Sequence, residues 1–249
     1  TTGNLRVQGI GVGAWSSGGP LNTARADLAG AGTQTAGLAM AGIDRPSTPK
    51  NVSEEYNGSG WASGGNTPGN KDQCAGAGTQ TAAIVFGGSG SSNTTFEYDG
   101  SSFSSGGNLT TGRALLAGFG TLTAGVGAGG YTPPGGNRDL VEEYNGTSWT
   151  AGNTLTTGRR SISGTGPTES TGIVFGGNSG PGITGATEEY DGTNWTTGGS
   201  LNTAREGSAG SGTSSLALAF GGYTTTNVTN SEEYNGTSWS EGPDLATAR

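Results

Sequence analysis

One short segment recurs along the chain at intervals of 42 to 46 residues. It consists of a glutamate, a tyrosine, an Asn-Gly or Asp-Gly pair and an aromatic residue five positions after the tyrosine. The tyrosines are Tyr56, Tyr98, Tyr144, Tyr190 and Tyr234. A cation stands ten residues beyond every repeat aromatic residue, at Arg25, Lys71, Arg113, Arg159, Arg205 and Arg249. A repeat of this length predicts a fold built from several equivalent units.

Each unit has the pattern of four short strands. A glycine-containing strand follows the cation, and a continuous apolar strand such as 83–86 follows a Thr-rich turn and stops at Gly-Gly. The third strand carries the tyrosine, and Asn-Gly or Asp-Gly then predicts a tight hairpin into a fourth strand that begins at the aromatic residue. The unit is therefore predicted to be an antiparallel four-stranded sheet whose second strand is covered on both faces.

A single sheet of this size cannot bury its aromatic residues, whereas sheets arranged radially bury both faces against their neighbours. The 53 glycines and only 29% hydrophobic residues resemble a disordered composition, but the aromatic residues recur at fixed offsets. Two glycines lie on one face of every first strand, which places that strand nearest the axis, where the sheets converge. The predicted fold is an all-β propeller of four-stranded antiparallel blades in a single domain, 1–249.

The sequence leaves two blade counts open. Complete repeats run over approximately 15–60, 61–102, 103–148, 149–194 and 195–238, and the partial stretches 1–14 and 239–249 together form an incomplete sixth unit. Five closed blades would leave the Trp15 strand redundant, so a six-bladed ring is preferred and a five-bladed ring is the alternative.

The repeat resembles the kelch repeat of galactose-oxidase-type propellers. The resemblance rests on the double glycine that closes an apolar strand, the following Tyr-Asn or Tyr-Asp, the Trp shortly after it and the Arg that opens the next unit. Stretches such as EEYNGTSW are also similar to the repeats of structural and fibre proteins of marine bacteriophages, especially cyanophages. Galactose oxidases hold copper with His and Tyr, and this chain has no histidine, so their oxidase activity is not expected here.

The loops between the second and third strands carry almost all the length variation, and the kelch resemblance implies that ligands bind on their face. These loops are rich in Ser, Thr, Asn and Gly, with scattered aromatic and charged residues. Hydroxyl and amide groups beside aromatic rings suit sugar recognition, although polar loops of variable length are also common without any function. The candidate ligand-binding residues are Asp44, Arg45, Tyr131, Asn137, Arg138, Asp139 and Tyr223.

The recurring cations, Arg25, Lys71, Arg113, Arg159, Arg205 and Arg249, have two interpretations. As a ring at the mouth of the channel they would attract carboxylate or phosphate groups. The preferred interpretation is structural, because a residue fixed in every blade builds blades. The carboxylates expected to pair with these cations are the glutamates directly before each tyrosine, Glu55, Glu97, Glu143, Glu189 and Glu233.

Several chemistries are disfavoured. The absence of histidine removes His-dependent nucleophilic catalysis and His-containing metal sites, and no spacing of acidic residues supports calcium. Cys74 occupies an apolar repeat position, and the Gly-x-Gly-Thr stretches lack the context of a nucleotide-binding loop. A net charge of −8 disfavours nucleic acid, and no segment is long and apolar enough to insert into a membrane. No catalytic residue, metal or cofactor is expected.

The sequence thus favours a non-catalytic structural or adhesive module on a virion or an extracellular appendage. Its expected partner is a surface glycan or another appendage protein, and a homo-oligomer is possible. The alternative is a propeller-type enzyme acting on glycans, with its site at the mouth of the channel. Such an enzyme normally carries a pair of carboxylates at catalytic spacing, which the departures from the repeat do not provide.

Overall fold

The computed structural model describes residues 14–44 and 48–249, which form five four-stranded antiparallel sheets. Blade 1 contains β1 (Ala29–Thr33), β2 (Ala36–Met40), β5 (Ser53–Tyr56) and β6 (Trp61–Ser63). Blade 2 contains β7 (Ala75–Thr79), β8 (Ala82–Phe86), β9 (Thr95–Tyr98) and β10 (Phe103–Ser105). Blade 3 contains β11 (Ala117–Thr121), β12 (Ala124–Ala128), β15 (Val141–Tyr144) and β16 (Trp149–Ala151). Blade 4 contains β17 (Ser163–Thr165), β18 (Gly172–Phe175), β19 (Thr187–Tyr190) and β20 (Trp195–Gly198). Blade 5 contains β21 (Ala209–Thr213), β22 (Leu216–Phe220), β23 (Ser231–Tyr234) and β24 (Trp239–Glu241).

Short ribbons and turns lie in several loops of the blades, most of them between the second and third strands. Two of these loops form two-stranded ribbons, β3 (Ile43–Asp44) with β4 (Thr48–Pro49) and β13 (Tyr131–Thr132) with β14 (Gly136–Asn137). A 3₁₀ turn, Ser89–Ser91, lies in the loop of blade 2, and another, Glu169–Thr171, connects the first two strands of blade 4. The two ribbons and the Ser89–Ser91 turn lie in the segment whose length varies between repeats.

The predicted fold is confirmed as an all-β propeller of four-stranded antiparallel blades. The described residues contain five such blades, which is the alternative count, and the preferred sixth sheet is not among them. Of the predicted partial unit 1–14, only Ala14 lies within the described residues. The first strands of all five blades surround a central cavity of about 800 Å³, as the glycine pairs predicted.

The core lies between the blades. In blade 2 the second strand is covered on both faces as predicted, and Ile84, Val85 and Phe86 are completely buried, whereas Leu216 of blade 5 is 47% exposed. Each tyrosine packs on the aromatic residue at the start of the fourth strand of its own blade, with ring centroids 4.5–5.1 Å apart. Trp149 also packs on Phe86 of the preceding blade, with centroids 4.6 Å apart. A few large rings per blade therefore connect neighbouring sheets.

The Asn-Gly and Asp-Gly pairs form the predicted tight turns. In blade 3, Gly146 has φ of +88°, which a glycine adopts without strain. The side chain of Asn145 accepts hydrogen bonds from the backbone N–H groups of Thr147 (3.0 Å) and Ser148 (2.9 Å). The turn thus fixes the register in which Tyr144 faces Trp149.

The first glycine of an inner strand permits close packing on the preceding blade. A Cβ atom at Gly118 would lie 2.7 Å from the carbonyl oxygen of Gly76, and one at Gly164 would lie 2.8 Å from the Cβ of Ala117. Gly30 differs, because its nearest neighbour is the carbonyl oxygen of Leu38 in its own blade, at 4.0 Å. The inner edge of blade 1 is therefore open where the equivalent edge of blade 3 is closed.

This difference gives a matched pair of substitutions. We expect Gly118→Ala to lower the free energy of unfolding by about 1–3 kcal/mol, because the added methyl group overpacks against backbone. We expect Gly30→Ala to leave it unchanged or slightly raised, since no atom of residues 14–44 or 48–249 lies closer than 4.0 Å to the added methyl group and alanine restricts the unfolded chain. Urea unfolding of the two variants measures both values. Equal losses at the two positions would contradict the packing difference.

Candidate functional site

The recurring arginines are buried in ion pairs. Arg113 lies 3.0 Å from Glu142 and Arg159 lies 2.6 Å from Glu188, with arginine side chains that are completely buried. Arg159 also donates to the carbonyl oxygens of Gly176 (2.9 Å) and Ala186 (2.7 Å). Equivalent pairs join Arg25 to Glu54 and Arg205 to Glu232. All four guanidinium groups bind the third strand of their own blade, and those of Arg113 and Arg159 also donate to the first carbonyl oxygen of the Gly-Gly turn.

The prediction of which glutamates pair with the arginines is wrong by one residue. The arginines pair with the first glutamate of each Glu-Glu-Tyr segment, not with Glu55, Glu143, Glu189 or Glu233. Successive residues of a strand point to opposite faces, so a shift of one residue changes the face on which the carboxylate lies. Arg249 is exposed, and its Nε donates to the carbonyl oxygen of Thr247 at 3.5 Å.

In blade 2 the recurring cation is bound to its own blade without an ion pair. Lys71 replaces the arginine, and Phe96 stands where the other blades have the pairing glutamate. The Lys71 ammonium donates to the carbonyl oxygens of Gly87 (2.7 Å) and Thr94 (3.0 Å) and lies 5.1 Å from the centre of the Phe96 ring. Burial lowers the pKa of Lys71 to about 8. The position is therefore structural in this blade also.

The glutamates directly before the tyrosines connect neighbouring blades. Each accepts a hydrogen bond from the tyrosine hydroxyl of the following blade: Tyr98 donates to Glu55, Tyr144 to Glu97, Tyr190 to Glu143 and Tyr234 to Glu189. Burial, and then the hydrogen bond to the carboxylate, raises the pKa of Tyr98, Tyr144 and Tyr234 to about 12. The two glutamates of each segment thus serve two structural roles.

These raised pKa values predict a loss of stability in alkali. An unfolded tyrosine ionises at about pH 10, so the interblade contribution is intact below pH 10 and is lost between about pH 10 and 12, where the unfolded chain loses its protons first. We expect the difference in free energy of unfolding between the protein and a Tyr144→Phe variant to narrow over that window. Urea unfolding at pH 8, 10 and 11 measures it, and a constant difference would contradict the assignment.

A polar cluster that departs from the repeat lies on the loop face of blades 3 and 4. The Arg160 guanidinium lies 5.4 Å from the centre of the Tyr131 ring, and Asn137 donates through Nδ2 to the carbonyl oxygen of Asn178 at 2.8 Å. The backbones of Arg160 and Asn178 are hydrogen-bonded to each other, at 3.0 and 2.8 Å. Tyr131, Asn137, Arg160 and Asn178 therefore form one contiguous group, which we call the blade 3–4 cluster.

Two polar atoms at this cluster are buried without a hydrogen-bond partner. They are Oδ1 of Asn137 and Nε of Arg138, the residue that follows β14. The Arg138 guanidinium lies against Gly135 in the turn of the β13–β14 ribbon. Among the described residues, neither Arg138 nor Arg160 forms an ion pair, whereas Arg25, Arg113, Arg159 and Arg205 each have a glutamate. The loop face of these blades thus carries two arginines that are not held in ion pairs with described residues.

The other candidate residues do not join this cluster. Asp44 lies in the β3–β4 ribbon of blade 1 and forms an ion pair with Lys50 at 2.7 Å, and Arg45 lies outside the described residues. Tyr223 is 43% exposed on blade 5. Asp139 is exposed beside Arg138, and its backbone carbonyl accepts from Leu155 at 2.9 Å. Arg160 is not among the candidates predicted from the sequence, although the doubled Arg159-Arg160 is a departure from the repeat that identifies it.

Other chemistry is sparse in the described ranges, 14–44 and 48–249. They contain no group of three or more His, Cys, Asp or Glu residues placed to hold a metal ion, and no helix with the length and hydropathy to cross a membrane. Burial raises the pKa of Cys74 to about 11, so its thiol is not ionised at neutral pH. The Gly-x-Gly-Thr stretches lie in the first strands of the blades.

Comparisons with known proteins agree on the fold. No protein-family model matches the chain, and neither does any curated protein. The chain is similar to the solved structure of YjhT, with a TM-score of 0.73 and 12% sequence identity, and the match covers 92% of this chain and 86% of that one. At this level of identity the likeness shows a shared fold alone, which is the β-propeller.

Proposed function

We propose that this chain is a non-catalytic binding module that attaches to surface glycans through the loop face of blades 3 and 4. The observation that carries the proposal is the blade 3–4 cluster. It brings an aromatic ring, an amide and an arginine together at a place where the repeat does not require them. Such groups provide apolar contact with a sugar ring and hydrogen bonds to its hydroxyl groups.

The positive charge of the arginines at the cluster favours acidic glycans. Arg138 and Arg160 have no carboxylate partner among the described residues, and the arginine fork matches a carboxylate in geometry. We therefore expect acidic sugars to bind more tightly than neutral ones, and binding to weaken as salt is raised.

The central cavity supports the binding module over the alternative enzyme. The described residues that line it are Gly, Ala, Ser and Thr with a few apolar residues and Gln34, and none of them is a carboxylate or a cation. Glycoside hydrolysis normally uses two carboxyl groups on either side of the scissile bond. A propeller enzyme with its site at this cavity would have to draw both groups from elsewhere.

The proposed setting is a virion or an extracellular appendage, where a surface-binding module would act. This setting comes from the likeness of the repeat to kelch-type structural and fibre proteins of marine bacteriophages. The repeated buried polar network of the blades is compatible with such a scaffold, because it leaves the loop face free to vary.

A glycan array tests the proposal with a matched control. We expect the protein to bind acidic glycans, and both Tyr131→Ala and Arg160→Ala to weaken this binding by about tenfold or more, which is about 1.4 kcal/mol. Tyr223→Ala is the control, because Tyr223 follows the Gly-Gly turn of blade 5 and pairs with Glu206 as Tyr131 pairs with Ala114. It should bind normally.

Other outcomes identify the competing functions. Release of new reducing ends from a bound polysaccharide would establish the enzyme. Binding to intact host cells that survives removal of surface glycans would indicate a protein partner instead. Equal binding by Tyr131→Ala, Arg160→Ala and Tyr223→Ala would overturn the assignment of the blade 3–4 cluster.

A further inference from the structure

The ring of blades is interrupted between blade 5 and blade 1. The inner strands pack in the order β1, β7, β11, β17 and β21, but β21 and β1 do not pack on each other as the other neighbours do. Within the part of the chain that the structure describes, Gly30 of β1 meets no other blade, whereas a Cβ at Gly210 of β21 would lie 2.7 Å from the Phe175 ring of blade 4. One face of β1 is therefore left without a neighbouring inner strand.

Trp15 marks a further blade position at this interruption. The indole N–H of Trp61 donates to Gly19 and that of Trp195 to Asn153, each at 3.0 Å, and both acceptors lie four residues after the tryptophan of the preceding unit. The indole N–H of Trp15 donates at 2.8 Å to Pro243, four residues after Trp239. In ring order, Trp15 thus follows blade 5 and precedes blade 1.

The side of blade 5 that faces the interruption is incompletely covered. Phe220 packs on Trp15, with centroids 4.9 Å apart, as Phe86 packs on Trp149. Leu218 and Phe220 nevertheless remain partly exposed, whereas Ile84 and Phe86, at the same positions of blade 2, are completely buried. In blade 2 the inner hairpin of the following blade provides the missing cover.

The backbone of Arg249 makes the same hydrogen bond as the backbones of the arginines that open other blades. The N–H of Gly222 donates to the carbonyl oxygen of Arg249 at 2.7 Å. This bond repeats those from Gly130 to Arg159 (2.7 Å) and from Gly177 to Arg205 (2.9 Å). After Arg159 and Arg205 the chain enters the inner hairpin of the next blade, so Arg249 holds the position from which such a hairpin begins.

We propose that the opening between blades 5 and 1, bounded by Leu218, Phe220, Trp15 and Gly30, binds an inner β-hairpin of the repeat type. Its first strand must carry glycine and alanine, because it packs against β21 as β21 packs against β17. Its second strand must be apolar, since it faces Gly30 as Met40 faces Gly76. Binding would bury Leu218 and Phe220 to the extent of their counterparts.

An extended protein tests the proposal. Residues 206–222, the inner hairpin of blade 5, are copied after Arg249, in the position that they occupy after Arg205. Cysteine at position 218, Leu218→Cys, reports on the opening, because Cys74 is buried. We expect maleimide labelling of Leu218→Cys to be at least about tenfold slower in the extended protein and its melting temperature to be about 5 °C higher.

Two controls separate specific binding from a general effect of added sequence. An extension with the same residues in scrambled order should leave the labelling rate and the melting temperature unchanged. Gly30→Leu should be tolerated in the 249-residue protein and should abolish both effects in the extended one, because the new side chain occupies the opening.

Some results would overturn the proposal. Fast labelling of Leu218→Cys in the extended protein, or equal protection by the scrambled extension, would show that the opening does not bind the hairpin. Protection of Leu218→Cys in the 249-residue protein that rises with protein concentration, together with a dimer in light scattering, would assign the opening to a second copy of the chain.

Discussion

Replacing Arg159 by alanine lowers the free energy of unfolding by about 3–5 kcal/mol, as expected for one partner removed from a buried ion pair. The change leaves the Glu188 carboxylate buried without its cation, and the carbonyl oxygens of Gly176 and Ala186 lose their donor. Urea unfolding followed by tryptophan fluorescence measures the loss.

The next residue provides the matched control. Arg160 is partly exposed and contacts the Tyr131 ring, so Arg160→Ala should cost less than about 1 kcal/mol. A double variant, Arg159→Met with Glu188→Leu, should recover most of the stability, because it removes both buried charges together. Similar losses in Arg159→Ala and Arg160→Ala would contradict the structural assignment of the recurring arginines.

Replacing Trp149 by alanine is expected to lower the free energy of unfolding by about 3–5 kcal/mol, the usual cost of deleting a buried aromatic side chain. Trp149 is 5% exposed and packs on Tyr144 of its own blade and Phe86 of the preceding one. Its indole N–H donates to Thr95 Oγ1 at 2.9 Å, so the change also leaves a buried hydroxyl group without its donor.

Trp15 is the control for this substitution. It occupies the corresponding repeat position but is 36% exposed beside the opening between blades 5 and 1. Trp15→Ala should therefore cost less than half as much as Trp149→Ala in the same unfolding experiment, since less apolar surface is lost from the core. A larger effect at Trp15 would mean that the opening is already filled.

The recurrence of Tyr, Trp and Gly-Gly was sufficient to predict the propeller, because a strand pattern repeated at fixed offsets has few ways to bury its aromatic residues. The hairpin turns and the inner position of the glycine strand were also correct. The partners of the arginines were not, since both glutamates of a segment recur with equal regularity. Only the pleat of the third strand decides which one faces Arg159.

The candidate site was predicted only in part. Composition identified Tyr131 and Asn137, but it grouped them with Asp44 and Tyr223, which lie on other blades. Arg160 completes the cluster because its backbone is paired with Asn178, and Asn178 accepts from Asn137 across the loop face. Contacts between loops of different blades depend on loop length and path, which have no period in the sequence.

The amino-acid sequence by itself determined the blade, because strand period, turn residues and aromatic spacing act within one unit and are local. The number of complete blades, the pairing of Glu188 with Arg159, the tyrosine bonds between blades and the opening beside Trp15 were decided only by tertiary structure. The physical reason is that these features depend on how one sheet face packs on the next. The repeats share the residues that build a blade, and their neighbours in the ring make the packing of blades 1 and 5 different from the rest.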